Sequence, residues 1–360
     1  MKGCDYRFPT EFVERYRQLG DIDALLDSMR RPLRRTARVN TLKATTARVR
    51  ELLADLDPQP LEWYEDGLVL NDGGDEGRRH NAECRMQSRD ADEGGRQNAG
   101  ADEAKSQMPK VKGQSREGPG TAIGRRLEHF LGLIYVQEAA SMVPPLVLAP
   151  EPGETVLDIS AAPGSKTTQM AALMQNSGLI VANDSSPVRV RGLVGNIDRA
   201  GCLNVVVTRL DGIRLAQPLA GRCDRVLVDA PCSAEGTIRK SAQALDQWST
   251  AAFARFATIQ RGLLQAGYRC LKPGGRLVYS TCTLAPEENE GAVSWLLARE
   301  SGAEVLDWDL PGLVTHPGVV EWQGERYDGA VARARRILPQ DNDTEAFFVA
   351  LIRKGEDAAG

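Results

Sequence analysis

Two cysteines lie fifty residues apart in this chain, and each follows an apolar run that predicts a buried strand. Cys232 comes after the strand predicted at 225–228, and Cys282 comes after the one predicted at 276–279. The strands of an open parallel sheet present their carboxyl ends to a ligand crevice, so we expect both thiols in one site. There they would act covalently on a substrate. The alternative is a pair of ordinary buried cysteines.

The elements that must position these thiols alternate from residue 155 onward. This alternation predicts an α/β fold with a doubly wound, mostly parallel sheet. The predicted strands cover 155–159, 179–182, 204–207, 225–228, 276–279 and 347–352. The predicted helices follow the turn at 160–167 to about 174, and cover about 187–200, 250–270 and 286–299.

The turn after the first predicted strand suits a nucleotide-like ligand. Gly164 permits close backbone approach, and a helix amino end offers unpaired N–H groups. Asp184 ends the second strand at a spacing typical of a carboxylate that binds ribose hydroxyls, and Asp211 follows the third strand. The G-x-G-x-x-G fingerprint is absent, and serine replaces both glycines of a phosphate loop, at 160 and 165. A nucleoside without phosphates fits better, and S-adenosylmethionine is the leading candidate; the alternative is an ordinary tight turn.

The composition of the 360-residue chain, 42% hydrophobic and 26% charged, is typical of a globular protein. No apolar run reaches the roughly 18 residues that a membrane helix needs, and the N-terminus lacks the apolar core of a signal peptide. Seven cysteines argue against a disulfide framework, and no Cys/His cluster has zinc spacing. We therefore expect a cytoplasmic protein with reduced thiols, no membrane segment and no metal.

Basic residues are concentrated near the N-terminus, although the net charge of the chain is −4. The segment from Arg30 to Arg50 contains eight basic residues and no acidic one. This excess could bind nucleic-acid phosphates. A solvated helix face is the alternative. A second basic cluster consists of Arg333, Arg335 and Arg336.

The segment from Tyr6 to Leu70 predicts a small α/β unit, with a helix near 12–19, a strand at 37–40 and a helix at about 45–56. Residues 72–120 contain no Leu, Ile, Phe, Trp or Tyr. Such a segment cannot bury enough apolar area to offset the entropy of ordering it. We interpret it as a disordered insertion into the N-terminal unit, because apolar patterning resumes after it.

Three motifs are similar to those of the NOL/NOP/Sun family of RNA cytosine-5 methyltransferases. They are DISAAPGSKTT at 158–168, DAPCSAEGT at 229–237 and YSTCTLAPEEN at 279–289. Shorter matches are RVNTLK at 38–43, VQEAAS at 136–141 and RILPQDNDTEAFF at 336–348. Together the matches extend over nearly the whole chain except the insertion, and the order of the two cysteine motifs is highly specific.

The resemblance implies a Rossmann-like methyltransferase domain at 136–355, behind a small N-terminal α/β RNA-binding unit at 1–135 that contains the insertion. It implies that Cys282 is the nucleophile and that Cys232 assists product release. The residues that it implies as contacts of S-adenosylmethionine are Ser160, Ala161, Ala162, Pro163, Gly164, Ser165, Lys166, Asp184, Arg189, Asp211 and Asp229. The chain departs from the family pattern at Ser160, where cysteine is common, and at Ala234, where glycine is usual.

The implied reaction explains why these groups are needed. Carbon 5 of cytosine is too weak a nucleophile to attack a methyl sulfonium directly. A Cys282 thiolate that adds to carbon 6 makes carbon 5 enamine-like, and Cys232 then helps to remove the carbon 5 proton. Asp229 would hydrogen-bond ring nitrogen 3 or the exocyclic amine, unless it only caps a strand end. Lys166 faces either this pocket or the solvent.

The implied substrate is structured RNA, whose target base must leave its stack. The short chain favours tRNA over rRNA, because several relatives that act on rRNA carry large additional domains. Two other interpretations stay open. A DNA cytosine-5 methyltransferase would use Cys232, within its Pro-Cys pair, as the nucleophile. A non-catalytic RNA-binding assembly factor would use the same fold without chemistry. We expect a monomer.

Overall fold

The computed structural model describes residues 7–71, 123–241, 243–246 and 248–356. The predicted disordered insertion at 72–120 therefore lies outside the described residues. Within those ranges, no helix is both long enough and apolar enough to cross a membrane.

The N-terminal segment forms an antiparallel sheet of four strands. Its elements are α1 (Thr10–Tyr16), α2 (Ile22–Arg30), β1 (Thr36–Val39), α3 (Thr46–Leu52), β2 (Gln59–Leu61), β3 (Tyr64–Val69), α4 (Leu127–Phe130) and β4 (Ile134–Val136). The strand order is β2-β3-β1-β4, so β1 pairs with both β3 and β4. Helix α3 is shorter than predicted, because the chain tightens into a 3-10 turn at Ala54–Leu56 and then turns left-handed at Asp57, with φ 41°.

Helices α1 and α2 do not belong to the core of that sheet. Phe12 and Tyr16 of α1 and Leu25 of α2 are buried together with Ile238, which follows the first cysteine motif, and Leu284, which lies in the second. Helices α1 and α2 therefore support the loops that carry the thiols.

The second sheet contains nine strands and is flanked by helices. Its part of the chain consists of α5 (Val143–Leu148), β5 (Thr155–Asp158), α6 (Ser165–Leu173), β6 (Leu179–Asn183), α7 (Pro187–Ala200), β7 (Val205–Thr208), β8 (Cys223–Asp229), α8 (Gln243–Asp246), α9 (Thr250–Cys270), β9 (Leu271–Thr281), α10 (Glu290–Leu297), β10 (Ala303–Leu306), β11 (His316–Pro317), β12 (Glu321–Trp322), β13 (Glu325–Arg326), β14 (Arg335–Ile337), α11 (Pro339–Asn342) and β15 (Phe347–Lys354). Strands β12 and β13 form a separate two-stranded ribbon.

Five strands of the second sheet are parallel, in the order β7-β6-β5-β8-β9. This confirms the predicted doubly wound parallel sheet. Beyond β9 the sheet continues antiparallel through β15, which pairs with both β10 and β14, and β14 pairs with β11. Apolar patterning does not encode the direction of a strand relative to its neighbour, so this antiparallel edge was not predicted.

The central strands β8 and β9 are apolar without alternation because helices cover both faces of the sheet. Residues 226–228 and 277–279 are completely buried. The carboxyl ends of β5, β6, β8 and β9 meet at one edge, and polar side chains begin there.

Candidate active site

Cys232 and Cys282 lie side by side at this edge. Their sulfur atoms are 3.4 Å apart, and both side chains are partly buried. The register of the two parallel strands pairs Asp229 with Ser280, which brings the two following loops together. The pKa of the Cys232 thiol is raised well above its ordinary value, first by its hydrogen bond with Cys282 and then by burial. Cys232 therefore keeps its proton at neutral pH and can stabilise negative charge on the neighbouring sulfur.

The other cysteines that the structure describes have a different environment. Burial raises the pKa of Cys202 to about 11, that of Cys223 to about 12 and that of Cys270 to about 11. These three side chains pack within or against apolar clusters, as structural cysteines do.

A buried carboxylate, Glu288, fastens the two cysteine loops to each other. It accepts hydrogen bonds from Ser233 N (3.1 Å), Ser233 Oγ (2.5 Å) and Gln260 Nε2 of α9 (2.7 Å). Ser233 Oγ also lies 2.8 Å from Thr283 Oγ1, so the residues that follow the two cysteines are joined directly. Burial raises the pKa of Glu288 to about 7 even though these donors favour its anion.

A second buried carboxylate, Glu235, ties the same loops to α1. Tyr16 Oη donates to its two oxygens at 2.6 and 2.7 Å, Thr283 Oγ1 donates at 2.8 Å, and Trp248 Nε1 donates as well. Sequence reasoning missed both Glu235 and Glu288. The available signal was their position inside the two cysteine motifs, where buried strands end, rather than on an exposed helix.

Asp229, at the end of β8, is held as an anion by two donors. Lys166 Nζ is 2.8 Å from Asp229 Oδ2, and Ser280 Oγ donates to Oδ1 at 2.8 Å. Lys166 also donates to Ser141 Oγ at 2.9 Å. Burial by itself lowers the pKa of Lys166, but the charge of Asp229 and their hydrogen bond raise it above its ordinary value. Of the two orientations considered for Lys166, the structure shows the one that faces the pocket.

The turn after β5 has the conformation that a helix-start site requires. Gly164 has φ 105° and precedes the first residue of α6. A β-carbon at this position would lie 2.9 Å from Leu193 Cδ1, so glycine is needed both for the backbone conformation and for the close packing against α7. Asp158 accepts a hydrogen bond from Thr167 Oγ1 at 2.6 Å, and burial raises its pKa to about 7.

Two adjoining cavities lie over these groups. The first, of about 370 Å³, is lined by the predicted cofactor residues Ser160, Asp184, Arg189, Asp211 and Asp229, and also by both cysteines. We call it the cofactor cavity.

The second cavity has a volume of about 410 Å³ and reaches the N-terminal sheet at Tyr135. Cys282 and Asp229 line it as well as the first, whereas Cys232 lines only the first. We call it the substrate cavity. The residues of the turn that line it are Ser160, Ala161, Ala162, Pro163, Ser165 and Lys166. Gly164 lines neither cavity and acts through the shape of the turn.

The polar atoms of the cofactor cavity fit a nucleoside. Asp184 is buried; its Oδ1 accepts from Ser186 N at 2.9 Å, while its Oδ2 accepts no hydrogen bond from the described residues. Arg189 Nη1 lies 3.4 Å from that free oxygen. A ribose diol would supply the donors that Oδ2 lacks. Asp211 lines the same cavity, and its Oδ1 accepts a hydrogen bond from Ile213 N at 3.0 Å.

The basic segment near the N-terminus is not one surface. Arg38 is only 1% exposed, and it donates to Gln137 Oε1 at 3.1 Å and to Thr168 Oγ1 at 2.8 Å. It joins the N-terminal sheet to α6 and is not available to a phosphate. Lys43 donates to two backbone carbonyls, and Arg48 pairs with Glu51. The segment crosses α2, β1 and α3, so the alternative of a single helix face is wrong too.

The second basic cluster is also paired internally. Arg336 is buried and binds Glu290 through Nε at 2.7 Å and through Nη2 at 2.5 Å. Arg335 pairs with Asp307 at 3.2 Å, and Arg333 lies 3.7 Å from the same carboxylate. The acidic partners of Arg335 and Arg336 lie 28 and 46 residues away along the chain, so the sequence pattern does not show the pairing.

Ala234 adopts the left-handed conformation that glycine prefers, with φ 59°. It directly follows the Cys232–Ser233 segment, so the departure from the family pattern carries a backbone cost next to the active thiol. Ser160 lines both cavities.

A family described as the 16S rRNA methyltransferase RsmB/F matches residues 145–353 of this chain. A tRNA (cytosine(49)-C(5))-methyltransferase of Pyrococcus abyssi is 39% identical over 346 residues, covering 96% of both chains. Ribosomal RNA small subunit methyltransferase F of Klebsiella pneumoniae is 37% identical over 361 residues, and the match spans 96% of this chain but 64% of that protein. A crystal structure of a methyltransferase homologue from Pyrococcus horikoshii superimposes with a TM-score of 0.74 at 31% identity, covering 96% of this chain and 95% of the other.

Proposed function

Because the chain belongs to the RsmB/F family of methyltransferases, we propose that it transfers a methyl group from S-adenosylmethionine to carbon 5 of cytosine in RNA. Membership confirms the resemblance found in the motifs. The observation that carries the proposal is the pair of thiols 3.4 Å apart, with Cys282 at the junction of the two cavities and Cys232 on the cofactor side.

The cofactor cavity is the site proposed for S-adenosylmethionine, which supplies the electrophilic methyl group when bound. Asp184 accepts the ribose hydroxyls with the oxygen that no described residue hydrogen-bonds, and Ser160 is the residue of the 160–166 turn that lines this cavity. Asp211 and Arg189 line the outer part of the same cavity. The cavity holds both thiols but is lined by no phosphate loop, which agrees with a cofactor that carries no phosphate.

The substrate cavity is the site proposed for the flipped cytosine. The Cys282 thiolate adds to carbon 6, and the neighbouring S–H of Cys232 stabilises the attacking sulfur before the addition. Asp229, held as an anion by Lys166 and Ser280, accepts a hydrogen bond from the exocyclic amine. Once the Cys282 sulfur is bonded to carbon 6, it no longer carries the charge that held the proton on Cys232, and Cys232 loses that proton to solvent. After the methyl group has been transferred, the Cys232 thiolate accepts the carbon 5 proton, and Cys282 leaves as the double bond re-forms.

The proposed RNA substrate is tRNA. The match to the tRNA enzyme is 39% identical and covers 96% of that protein, whereas the matches to two rRNA enzymes cover 64% and 60% of theirs. We propose that the N-terminal unit, residues 1–135, contributes RNA binding, because Tyr135 of β4 lines the substrate cavity. An rRNA substrate is the competing possibility.

Denaturing gels separate the roles of the two thiols. With unmodified tRNA transcripts and S-adenosylmethionine, Cys232→Ala should accumulate a covalent protein–RNA species, whereas Cys282→Ala should give neither adduct nor 5-methylcytosine. Cys202→Ala, at a thiol outside both cavities, is the control and should turn over normally. A 16S rRNA transcript run in parallel tests the competing substrate.

An adduct that forms with Cys282→Ala and not with Cys232→Ala would reverse the assignment and favour the mechanism of the DNA enzymes. Wild-type protein that binds S-adenosylmethionine in calorimetry but yields no 5-methylcytosine on either RNA would contradict the proposed activity.

A further inference from the structure

The substrate cavity contains a buried acid that the reaction described so far does not use. Glu345 lies two residues before β15 and is 4% exposed. Its side chain lines the same cavity as Cys282 and Asp229. Among the described residues, none donates a hydrogen bond to its Oε1. A buried acid without a partner is costly, so its position in a binding cavity points to a group on the substrate.

A second acid, Glu138, stands beside Glu345; burial raises its pKa, and backbone hydrogen bonds to its carboxyl group oppose that rise. Glu138 Oε1 accepts from the backbone N–H of Glu345 at 3.1 Å, and its Oε2 accepts from Ser141 N at 3.0 Å. Two adjacent carboxyl groups in a desolvated site do not both ionise. Since backbone donors stabilise the charge of Glu138, the shared proton resides on Glu345.

The charges around the pair agree with this assignment. Burial first, and the charge of Glu138 second, raise the pKa of Glu345 to about 8. Lys240, Lys166 and Arg239 oppose that rise without cancelling it. Glu345 is therefore mostly neutral at pH 7 and presents a carboxylic O–H to the cavity.

Two other polar groups of the cavity, Asp229 and Lys166, are already bound to each other. Both carboxylate oxygens of Asp229 accept hydrogen bonds, one from Lys166 and one from Ser280. Lys166 is bound to Asp229 and to Ser141 Oγ, and its raised pKa makes it a poor proton donor. Addition of a thiolate to carbon 6 nevertheless places negative charge on ring nitrogen 3, which requires an acid.

We propose that Glu345 is the general acid of the reaction and that it donates to nitrogen 3 of the flipped cytosine. This inference rests on the proposed function and deepens it. As the Cys282 sulfur bonds to carbon 6, the carbon 5–carbon 6 π pair moves toward carbon 4, the carbon 4–nitrogen 3 π pair moves onto nitrogen 3, and nitrogen 3 takes the proton of Glu345. The enamine carbon 5 then takes the methyl group.

The return steps restore every group. Cys232, which has lost its own proton to solvent after the addition step, removes the carbon 5 proton, the carbon 5–carbon 6 double bond re-forms, and the Cys282 thiolate leaves. Nitrogen 3 then gives its proton back to the Glu345 carboxylate. Asp229 and Glu345 thereby divide the recognition of cytosine: the anion accepts from the amine, and the neutral acid donates to the ring nitrogen.

Single-turnover methylation of unmodified tRNA transcripts between pH 6 and pH 9.5 tests this role. The parallel measurement is the rate of adduct formation in the Cys232→Ala background, which isolates the addition step. In wild-type protein the contribution of Glu345 is present below about pH 8 and is lost as the pH rises through that value. Glu345→Ala should slow both reactions about a hundredfold at pH 7, the size typical of a missing general acid.

Glu345→Gln separates proton donation from packing, because its amide donates a hydrogen bond but has no proton to lose in this range. It should retain more activity than Glu345→Ala at pH 7, about tenfold below wild type, and its rate should not decline above pH 8. Glu321→Gln, at an exposed acid of β12, is the control and should keep both the rate and the profile of wild type. Circular dichroism and S-adenosylmethionine affinity should be the same for all variants.

Two results would overturn the inference alone: Glu345→Ala at the wild-type rate, or Glu345→Gln with the same decline above pH 8 as wild type. If wild-type protein makes no 5-methylcytosine and no adduct, then the proposed function fails and this inference fails with it. A normal wild-type reaction with unaffected Glu345 variants leaves the proposed function standing.

Discussion

The cofactor cavity and the substrate cavity share Cys282 and Asp229 but are built in different ways. The cofactor cavity is made mostly by residues that directly follow β5, β6 and β8, such as Ser160, Asp184 and Pro231. The substrate cavity brings together residues from remote parts of the chain, including Tyr135, Lys240 and Glu345. Local motifs thus suffice to shape the first cavity, whereas the second depends on the packing of the whole molecule.

The two cavities also differ in how their charges are satisfied. Asp184 keeps a free oxygen for its ligand. In the substrate cavity, both oxygens of Asp229 already accept hydrogen bonds, from Lys166 and Ser280. Nearby, the buried acids Glu288 and Glu235 bind the loops that carry the two cysteines. We therefore expect substitutions in the substrate cavity to affect both stability and rate, and substitutions in the cofactor cavity to affect mainly affinity.

The largest effect is expected from Lys166→Met, which leaves Asp229 as an unpaired charge. It should lower single-turnover methylation at least about a hundredfold. It should also lower the free energy of unfolding by about 2 kcal/mol, less than for a fully buried pair because Asp229 is 30% exposed. Urea unfolding measures the second effect.

The double variant Lys166→Met/Asp229→Asn is the control, because it removes the charge that the single variant leaves unpaired. It should regain part of the lost stability but none of the activity. Equal stability of the single and double variants would contradict the expectation that charge pairing in the substrate cavity supports the fold.

A smaller, purely local effect is expected from Asp184→Asn in the cofactor cavity. The amide keeps one acceptor but places a donor toward the ribose hydroxyls. The affinity for S-adenosylmethionine should fall about tenfold to a hundredfold, the value of one hydrogen bond to a charged group. Asp198→Asn, at an exposed acid of α7, is the calorimetric control. A loss of stability greater than about 1 kcal/mol in Asp184→Asn would show that this cavity also depends on its acids for folding.

The smallest effect is expected from Ala234→Gly beside Cys232. Glycine relieves the left-handed strain at φ 59° but gains entropy in the unfolded chain. The unfolding free energy should rise by no more than about 1 kcal/mol, and the release step should not slow. By contrast, Ala254→Gly in the exposed part of α9 should cost about 1 kcal/mol. A slower release of RNA by Ala234→Gly would mean that the strained alanine helps to position the Cys232 loop.

Particular residues show which features of the fold and of the site could be predicted from the sequence. It identified the strand ends that carry Cys232 and Cys282 and the turn around Gly164, because hydrophobic runs and glycine positions are local signals. The alternation of strands and helices also predicted the parallel part of the sheet. The antiparallel edge formed by β10, β14 and β15 was not foreseen, because a strand's pattern shows which residues are buried but not which neighbour it pairs with.

The burial and the partners of charged residues were the features predicted least well from the sequence. Arg38 belonged to the segment expected to bind phosphates, and Arg336 to a second basic cluster, yet both are buried and paired with groups remote in sequence. Glu235, Glu288 and Glu345 were not singled out, yet they hold or line the site. A buried charge is tolerated only where folding supplies its partners, and those partners are defined by tertiary distance.

The amino-acid sequence by itself determined the parallel strands, the cofactor turn and the pair of thiols at one edge of the sheet, since each of these follows from short-range pattern and chain direction. Only the tertiary structure decided which carboxyl groups are anions and which keep a proton. That difference arises because desolvation and hydrogen-bond donors, which shift protonation, come from segments that meet only when the chain is folded.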